Sequence, residues 1–237
     1  MTDLRYPGEI DSLSDLCDAF EWVESQGFVE AISAGDHSVG TTLEVMLNHA
    51  LDADSSADFG FTELKVQRYG TSSKTSLFTK EPNYNDGWSM VEILTNYGYT
   101  DNEGRTAWKD RLYSYVNKGL YLNVNEDNEL ELCSEDGDVI GFWTEDMLQD
   151  GLEKISDICY VTAEVEWRDG TEYFHYNSFS RCTLDSDTFA ILNSLDDGSL
   201  HLEIRAHLNS PTNARNRGTA FRTSNLYNIS AFNIQDL

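Results

Sequence analysis

From Ala57 to Lys65 the chain reads ADFGFTELK, which sets Asp58, Glu63 and Lys65 in or beside an apolar run. Side chains two apart on a strand project from the same face, so a strand through this run puts the Glu63 carboxylate beside the Lys65 ammonium. Asp58, before the bend at Gly60, folds back toward Glu63. Two carboxylates and the carbonyl of Leu64 make an all-oxygen set suited to a hard divalent cation such as Mg²⁺. The ammonium beside them can hold an attacking water and offset charge on a phosphorane-like transition state. That is the chemistry of metal-dependent phosphodiester hydrolysis. The same spacing also describes a solvated strand face with an ion pair, so the surroundings have to decide.

The elements around this run must position it. DSLSDLCDAFEWVESQGFV reads as an amphipathic helix, with Leu13, Leu16, Phe20 and Val23 at spacings of three and four and Gly27 past its end. The glycine-marked turn SAGDHSVG leads into TTLEVMLNHAL, a helix capped by Thr41 or Thr42 with Leu43, Met46, Leu47 and Leu51 on its buried side. A polar loop, DADSSA, precedes FGFTELKVQRY, where Leu64 and Val66 share one strand face and Glu63 and Lys65 the other. SKTSLFTKEP is a second strand closed by Pro82. GLYLNVNEDNELELC is a hairpin turning at Asn125–Asn128, extended by DVIGFWT, and TEDMLQDGLEKI is a helix. Asp169-Gly170 centres a two-residue hairpin. SDTFAILNSLDDG reads as a helix, HLEIRAHL as a strand, and the remainder as loop and strand. The mixture is α+β or α/β in one continuous domain.

Charge narrows the setting. Forty-two acidic residues against sixteen basic ones give a formal charge of −26, with few lysines and abundant aspartate. That composition suits a protein kept soluble in concentrated salt, where the Debye length falls to about 3 Å at 1 M. No apolar run nears the roughly 20 residues of a membrane helix, and the N-terminus lacks the apolar core of a signal peptide. A soluble, cytoplasmic protein of a high-salt cell is expected, with no membrane partner. Cys17, Cys133, Cys159 and Cys182 lack metal-site spacing and read as free thiols. The acids are not spread evenly. Residues 66–80 hold none, but carry Arg68, Lys74 and Lys80; residues 199–237 hold Glu203 and Asp236 against Arg205, Arg215, Arg217 and Arg222. Residues 125–157 hold twelve acids and only Lys154, and read as a solvated lobe or hairpin shell. An acidic shell with a neutral-to-basic working face follows.

Four motifs occur in order: G-x4-G-x-T-L-E at 35–44, D-F-G-x-x-E-L-K at 58–65, S-L-F-T-x-x-P at 76–82 and R-G-T-A-F-R at 217–222. In this the chain resembles the MvaI/BcnI family of restriction endonucleases, which are in turn similar to the mismatch-repair nickase MutH. The resemblance implies a PD-(D/E)xK core, a mixed β-sheet flanked by helices, acting as a monomer around double-stranded DNA. It implies one nuclease domain over 1–237, with a catalytic core at about 30–120 and a recognition portion at about 160–237. Asp58 and Glu63 match the metal-binding carboxylates, with Mg²⁺ as cofactor, and Lys65 the catalytic lysine. Glu44 matches a carboxylate that completes the site or holds a water near it; its alternative is a surface helix glutamate. Arg217 stands where some members carry histidine, and three roles stand open for it: reading guanine, clamping phosphate, or solubilising the surface. Arg68, Lys74, Arg215 and Arg222 are expected to contact phosphate. His37 is either a DNA contact or an ordinary loop histidine.

The expected activity is Mg²⁺-dependent, sequence-specific cleavage of duplex DNA, type II restriction of foreign DNA with a cognate methyltransferase as genetic partner. Competing readings are a MutH-like strand nickase and a catalytically silent DNA-binding protein of the same fold. In concentrated salt, counterion release contributes little, so affinity must come from shape and base hydrogen bonds.

Overall fold

In the computed structural model, residues 4–49, 57–184, 188–195 and 197–237 are described. The chain forms two units, each assembled from separated stretches. The first takes 1–75, 154–186 and 232–237, the second 76–153 and 187–231.

The first unit is built on a mixed sheet in the order Val29–Glu30, Thr171–Leu184, Asp157–Arg168, Glu63–Arg68, with Phe232–Asp236 paired farther along Thr171–Leu184. Glu63–Arg68 is an edge strand and runs parallel to Asp157–Arg168, Glu63 standing opposite Ile158. The longest pairing turns at Asp169 and Gly170, both left-handed (φ +50° and +82°), as a two-residue hairpin of matching twist requires.

Two helices cover this sheet's apolar face. Leu13–Ser25 starts where the Ser12 side chain accepts the Asp15 N–H, and Gly27 turns left-handed (φ +64°) beyond its end. Ser38–Met46 begins earlier than the Thr41 or Thr42 cap expected from sequence. Both threonines lie inside it: Thr41 Oγ1 donates to the His37 carbonyl, and Thr42 Oγ1 accepts the Ile32 N–H. Leu51 and most of the DADSSA loop lie outside the described residues. Leu16, Phe20, Val23, Leu43 and Met46 pack with Leu64, Val161, Phe174 and Tyr176. Each such burial contributes about 1.5–3 kcal/mol, so Leu64 anchors the strand whose other face carries Glu63 and Lys65.

The second unit holds two sheets. One runs Thr75–Thr79, Ala220–Thr223, Leu200–Ser210, Thr106–Leu112, Tyr99–Thr100, with Asn213–Asn216 also on Leu200–Ser210. The other runs Asn83–Tyr84, Val139–Trp143, Leu130–Ser134, Leu120–Val124. The acidic region 125–157 carries hairpin strands whose turns expose the acids, while Leu130, Leu132, Ile140 and Trp143 are buried beneath. The helix expected at SDTFAILNSLDDG is the 3₁₀-helix Thr188–Leu195. The helix Met90–Tyr97, capped by Ser89, and the strand Thr106–Leu112 were not anticipated. All four cysteines are free thiols. Among the described residues no helix is long and apolar enough to cross a membrane.

Candidate active site

The bend before the edge strand aims Asp58. Gly60 adopts φ +73°, a conformation glycine takes without strain, and its N–H closes on the Ala57 carbonyl at 2.9 Å. Asp58 Oδ2 then accepts the Leu64 N–H at 2.8 Å. On a strand a residue's N–H and C=O point to the same side. The Leu64 carbonyl therefore also faces the open edge, on the side of Asp58. On the strand's polar face, Lys65 Nζ donates to Glu63 Oε1 at 2.6 Å, with side-chain exposures of 15% and 4%.

The other Glu63 oxygen is what marks the site. Oε2 is buried without a hydrogen-bond partner among the described residues, and Lys154 Nζ stands 3.6 Å away. A buried carboxylate oxygen left open is costly unless something charged completes it. Glu44 joins the group electrostatically. Burial first, then the Asp58 charge, raises its carboxyl pKa; His49 and Lys65 pull against this and Glu63 adds to it. Glu44 thus feels Asp58, Glu63 and Lys65 together, with Lys154 beside Glu63, a set to which one more cation could be added. Among the described residues no three His, Cys, Asp or Glu side chains form a ready-made metal cluster. Mg²⁺ does not need one: it is held by one or two carboxylates together with waters and phosphate. Asp58, Glu63 and the Leu64 carbonyl fit that requirement.

Two members of this group were not singled out by sequence reasoning. Lys154 opens the segment 154–186 of the first unit, and the signal was present, since it is the only cation of the acidic region. His49 Nε2 lies 3.8 Å from Asp58 Oδ1, its ring 5.0 Å from that of Phe59. Asn48 turns left-handed (φ +57°) just before it, and nothing in the sequence announced that. A cleft of about 380 Å³ opens beside His49 and Asp58, walled by Gly8–Asp11.

The residues expected to contact DNA are distributed over both units. In the first, His37 is exposed at the N-cap of Ser38–Met46 without a side-chain capping bond. Lys74 is half-buried in the stretch where Gln67 Nε2 donates to the Ser73 carbonyl. Arg68, expected to contact phosphate, is turned inward. Nε and Nη2 donate to both oxygens of Glu172, Nη2 also to Ser38 Oγ and the Gly35 carbonyl, and Nη1 to the Asp36 carbonyl. It pins the glycine turn to the hairpin and so fixes the start of the helix that carries Glu44. In the second unit, Arg215 and Arg217 are exposed, and Arg222 is half-buried with Nη1 on Glu203 Oε2.

The raised Glu44 carboxyl has a consequence for stability. An acid whose pKa is higher in the folded state carries no penalty below the ordinary carboxylate range and gains one as pH rises through it. Glu44→Gln is therefore expected to raise the melting temperature in EDTA at pH 7 by roughly 2–4 °C. The gain should vanish at pH 4, while cleavage in Mg²⁺ falls by about 100-fold. Melting at the two pH values checks the first part, and a lower melting temperature at pH 7 would contradict it.

The family model described as the MvaI/BcnI restriction endonuclease family matches residues 17–229. No curated protein matches. Among solved structures, the "Restriction endonuclease MvaI-cognate DNA substrate complex" is 23% identical with a TM-score of 0.80, covering 97% of this chain and 99% of that one. The "Restriction endonuclease MvaI in the absence of DNA" is 21% identical with a TM-score of 0.55, covering 98% and 99%. The mixed α+β fold is that of these restriction endonuclease structures.

Proposed function

The chain belongs to the MvaI/BcnI restriction endonuclease family, which makes it a site-specific deoxyribonuclease, and on that premise we propose that it cuts duplex DNA with Mg²⁺ as cofactor in the restriction of foreign DNA. The observation that supports the cofactor is the buried, open Oε2 of Glu63 beside Asp58 and the Leu64 carbonyl. Those three groups would hold Mg²⁺, which supplies a polarised phosphate oxygen and a more acidic bound water. Lys65 keeps one proton on Glu63 and turns its others toward the attacking water and the charge gathering on phosphorus. Glu44, with its raised affinity for a proton, is placed to receive one released at the site. The near-complete burial of Glu63 excludes water from its carboxylate and so strengthens each of these interactions. Hydrolysis leaves a 5′ phosphate and a 3′ hydroxyl.

We assign catalysis to the first unit and DNA recognition to the second, in a monomer that cuts one strand and then the other. The exposed Arg217 is the candidate base reader, paired in the cell with a methyltransferase that protects the same sequence. The acidic composition favours a cytoplasm rich in salt, and molar KCl is the medium for the assay. Incubation of plasmid DNA with the purified protein should yield discrete fragments with Mg²⁺ and intact plasmid with EDTA. Intact plasmid with Mg²⁺ across the range of salt would end this reading.

A further inference from the structure

Residues opposite one another in an antiparallel ladder project from the same sheet face. The register of the larger sheet in the second unit therefore fixes which side chains share a face. Lys109 stands opposite Arg205, Arg111 opposite Glu203, Arg215 opposite His207, and Arg222 opposite His201. The alternate positions, Leu202, Ile204 and Ala206 with Trp108, Leu112 and Phe221, are buried. One face is thus core, and on the opposite face Ala107, His201 and Ala220 are buried as well. That opposite face gathers Lys109, Arg111, Arg205, Arg215 and Arg222, five of the sixteen cations in a chain with forty-two acids.

Glu203 is the one carboxylate among these paired positions. It binds Arg222 and stands 3.7 Å from Arg205 Nε. Lys109 pairs with Asp101 at 2.9 Å, and cations still outnumber acids with Asp101 included. Lys109 and Arg215 are exposed, the Arg205 side chain is 38% exposed, and Arg111 and His207 are half-buried. Among the described residues the Arg111 side chain makes no salt bridge. The half-buried part of the face runs about 13 Å along the strand from Glu203 to His207. Over that length duplex DNA carries about eight phosphate charges.

We propose that this sheet face seats the duplex backbone, with Lys109, Arg111, Arg205 and His207 as phosphate contacts beyond Arg215 and Arg222. The assignment rests on the nuclease reading and says where its substrate lies. In a chain carrying −26, a face where cations outnumber acids offers the polyanionic backbone a local seat.

The test uses a fluorescein-labelled duplex oligonucleotide and the full chain carrying Lys65→Ala, in EDTA, titrated at several KCl concentrations. Adding Arg111→Gln and Arg205→Gln is expected to weaken binding at least tenfold at the lowest salt and to flatten the slope of log affinity against log salt by about 2. Lysine at both positions should restore the slope. Urea unfolding of each variant separates binding from folding. Unchanged affinity and slope would overturn the proposal. So would a loss of binding that follows a loss of stability and is not rescued by lysine, or binding of single strands or polyglutamate as tight as that of the duplex. Cleavage by the wild type is scored separately. Binding lost in the glutamine variant with no wild-type cleavage keeps the face and sinks the nuclease reading.

Discussion

Lys65→Ala is expected to lower the rate of plasmid cleavage by about 100- to 1,000-fold while leaving duplex binding in EDTA intact. The ammonium is 2.6 Å from Glu63 Oε1 and only 15% of the side chain is exposed, so its field acts in a poorly screened setting. Its loss leaves the Glu63 carboxylate with Lys154, 3.6 Å from the other oxygen, as its one cation among the described residues. Some loss of stability at neutral pH should accompany the loss of activity, since a buried charge has lost its hydrogen-bonded partner. Lys65→Arg should not restore cleavage, because a planar fork cannot place a compact charge where the ammonium stood. Lys154→Met gives the contrast: it removes a cation that touches Glu63 only at ion-pair distance, and about a tenfold loss is expected. Single-turnover cleavage with a parallel urea titration decides. Cleavage at the wild-type rate by Lys65→Ala would remove this lysine from the chemistry.

The edge strand was legible because Leu64 and Val66 alternate with Glu63 and Lys65, and period two needs no partner to be seen. The hairpin at Asp169-Gly170 was legible because two left-handed residues in a row demand that chemistry. The partition into units was not, since each is stitched from stretches far apart in the chain and local pattern cannot say which stretches meet. The same blindness hid the basic sheet face: Arg205 meets Lys109 across nearly a hundred positions, and only the register places them together. Arg68 is the reverse case. It stood in a stretch without acids, which made it look available, yet its carboxylate, Glu172, arrives from 104 residues away.

That ion pair gives the largest expected change in stability. Arg68 and Glu172 have side-chain exposures of 19% and 10%, so Arg68→Ala leaves a carboxylate nearly buried with only Ser38 Oγ, at 3.0 Å, as donor among the described residues. Breaking such a pair from one side costs about 3 kcal/mol, roughly 6–12 °C in melting temperature for a chain of this size. The pH dependence has a definite sign. The Arg68 hydrogen bond first, with Ser38 adding to it, holds the Glu172 carboxyl below its ordinary pKa, while partial burial opposes them. Its contribution to stability is therefore full above the ordinary carboxylate range and is lost as pH falls through the lowered value. The gap between wild type and Arg68→Ala should narrow on acidification for that reason. Replacing both partners, Arg68→Met with Glu172→Leu, should recover most of the stability, because no charge is then left buried. It should not recover cleavage. The bonds from Arg68 to the Gly35 and Asp36 carbonyls hold the start of the helix that presents Glu44, and methionine cannot make them. Stability restored with cleavage still impaired would identify Arg68 as the strut of the catalytic helix. Unchanged unfolding of Arg68→Ala, with a flatter salt dependence of DNA binding, would instead make it the phosphate contact that the sequence suggested.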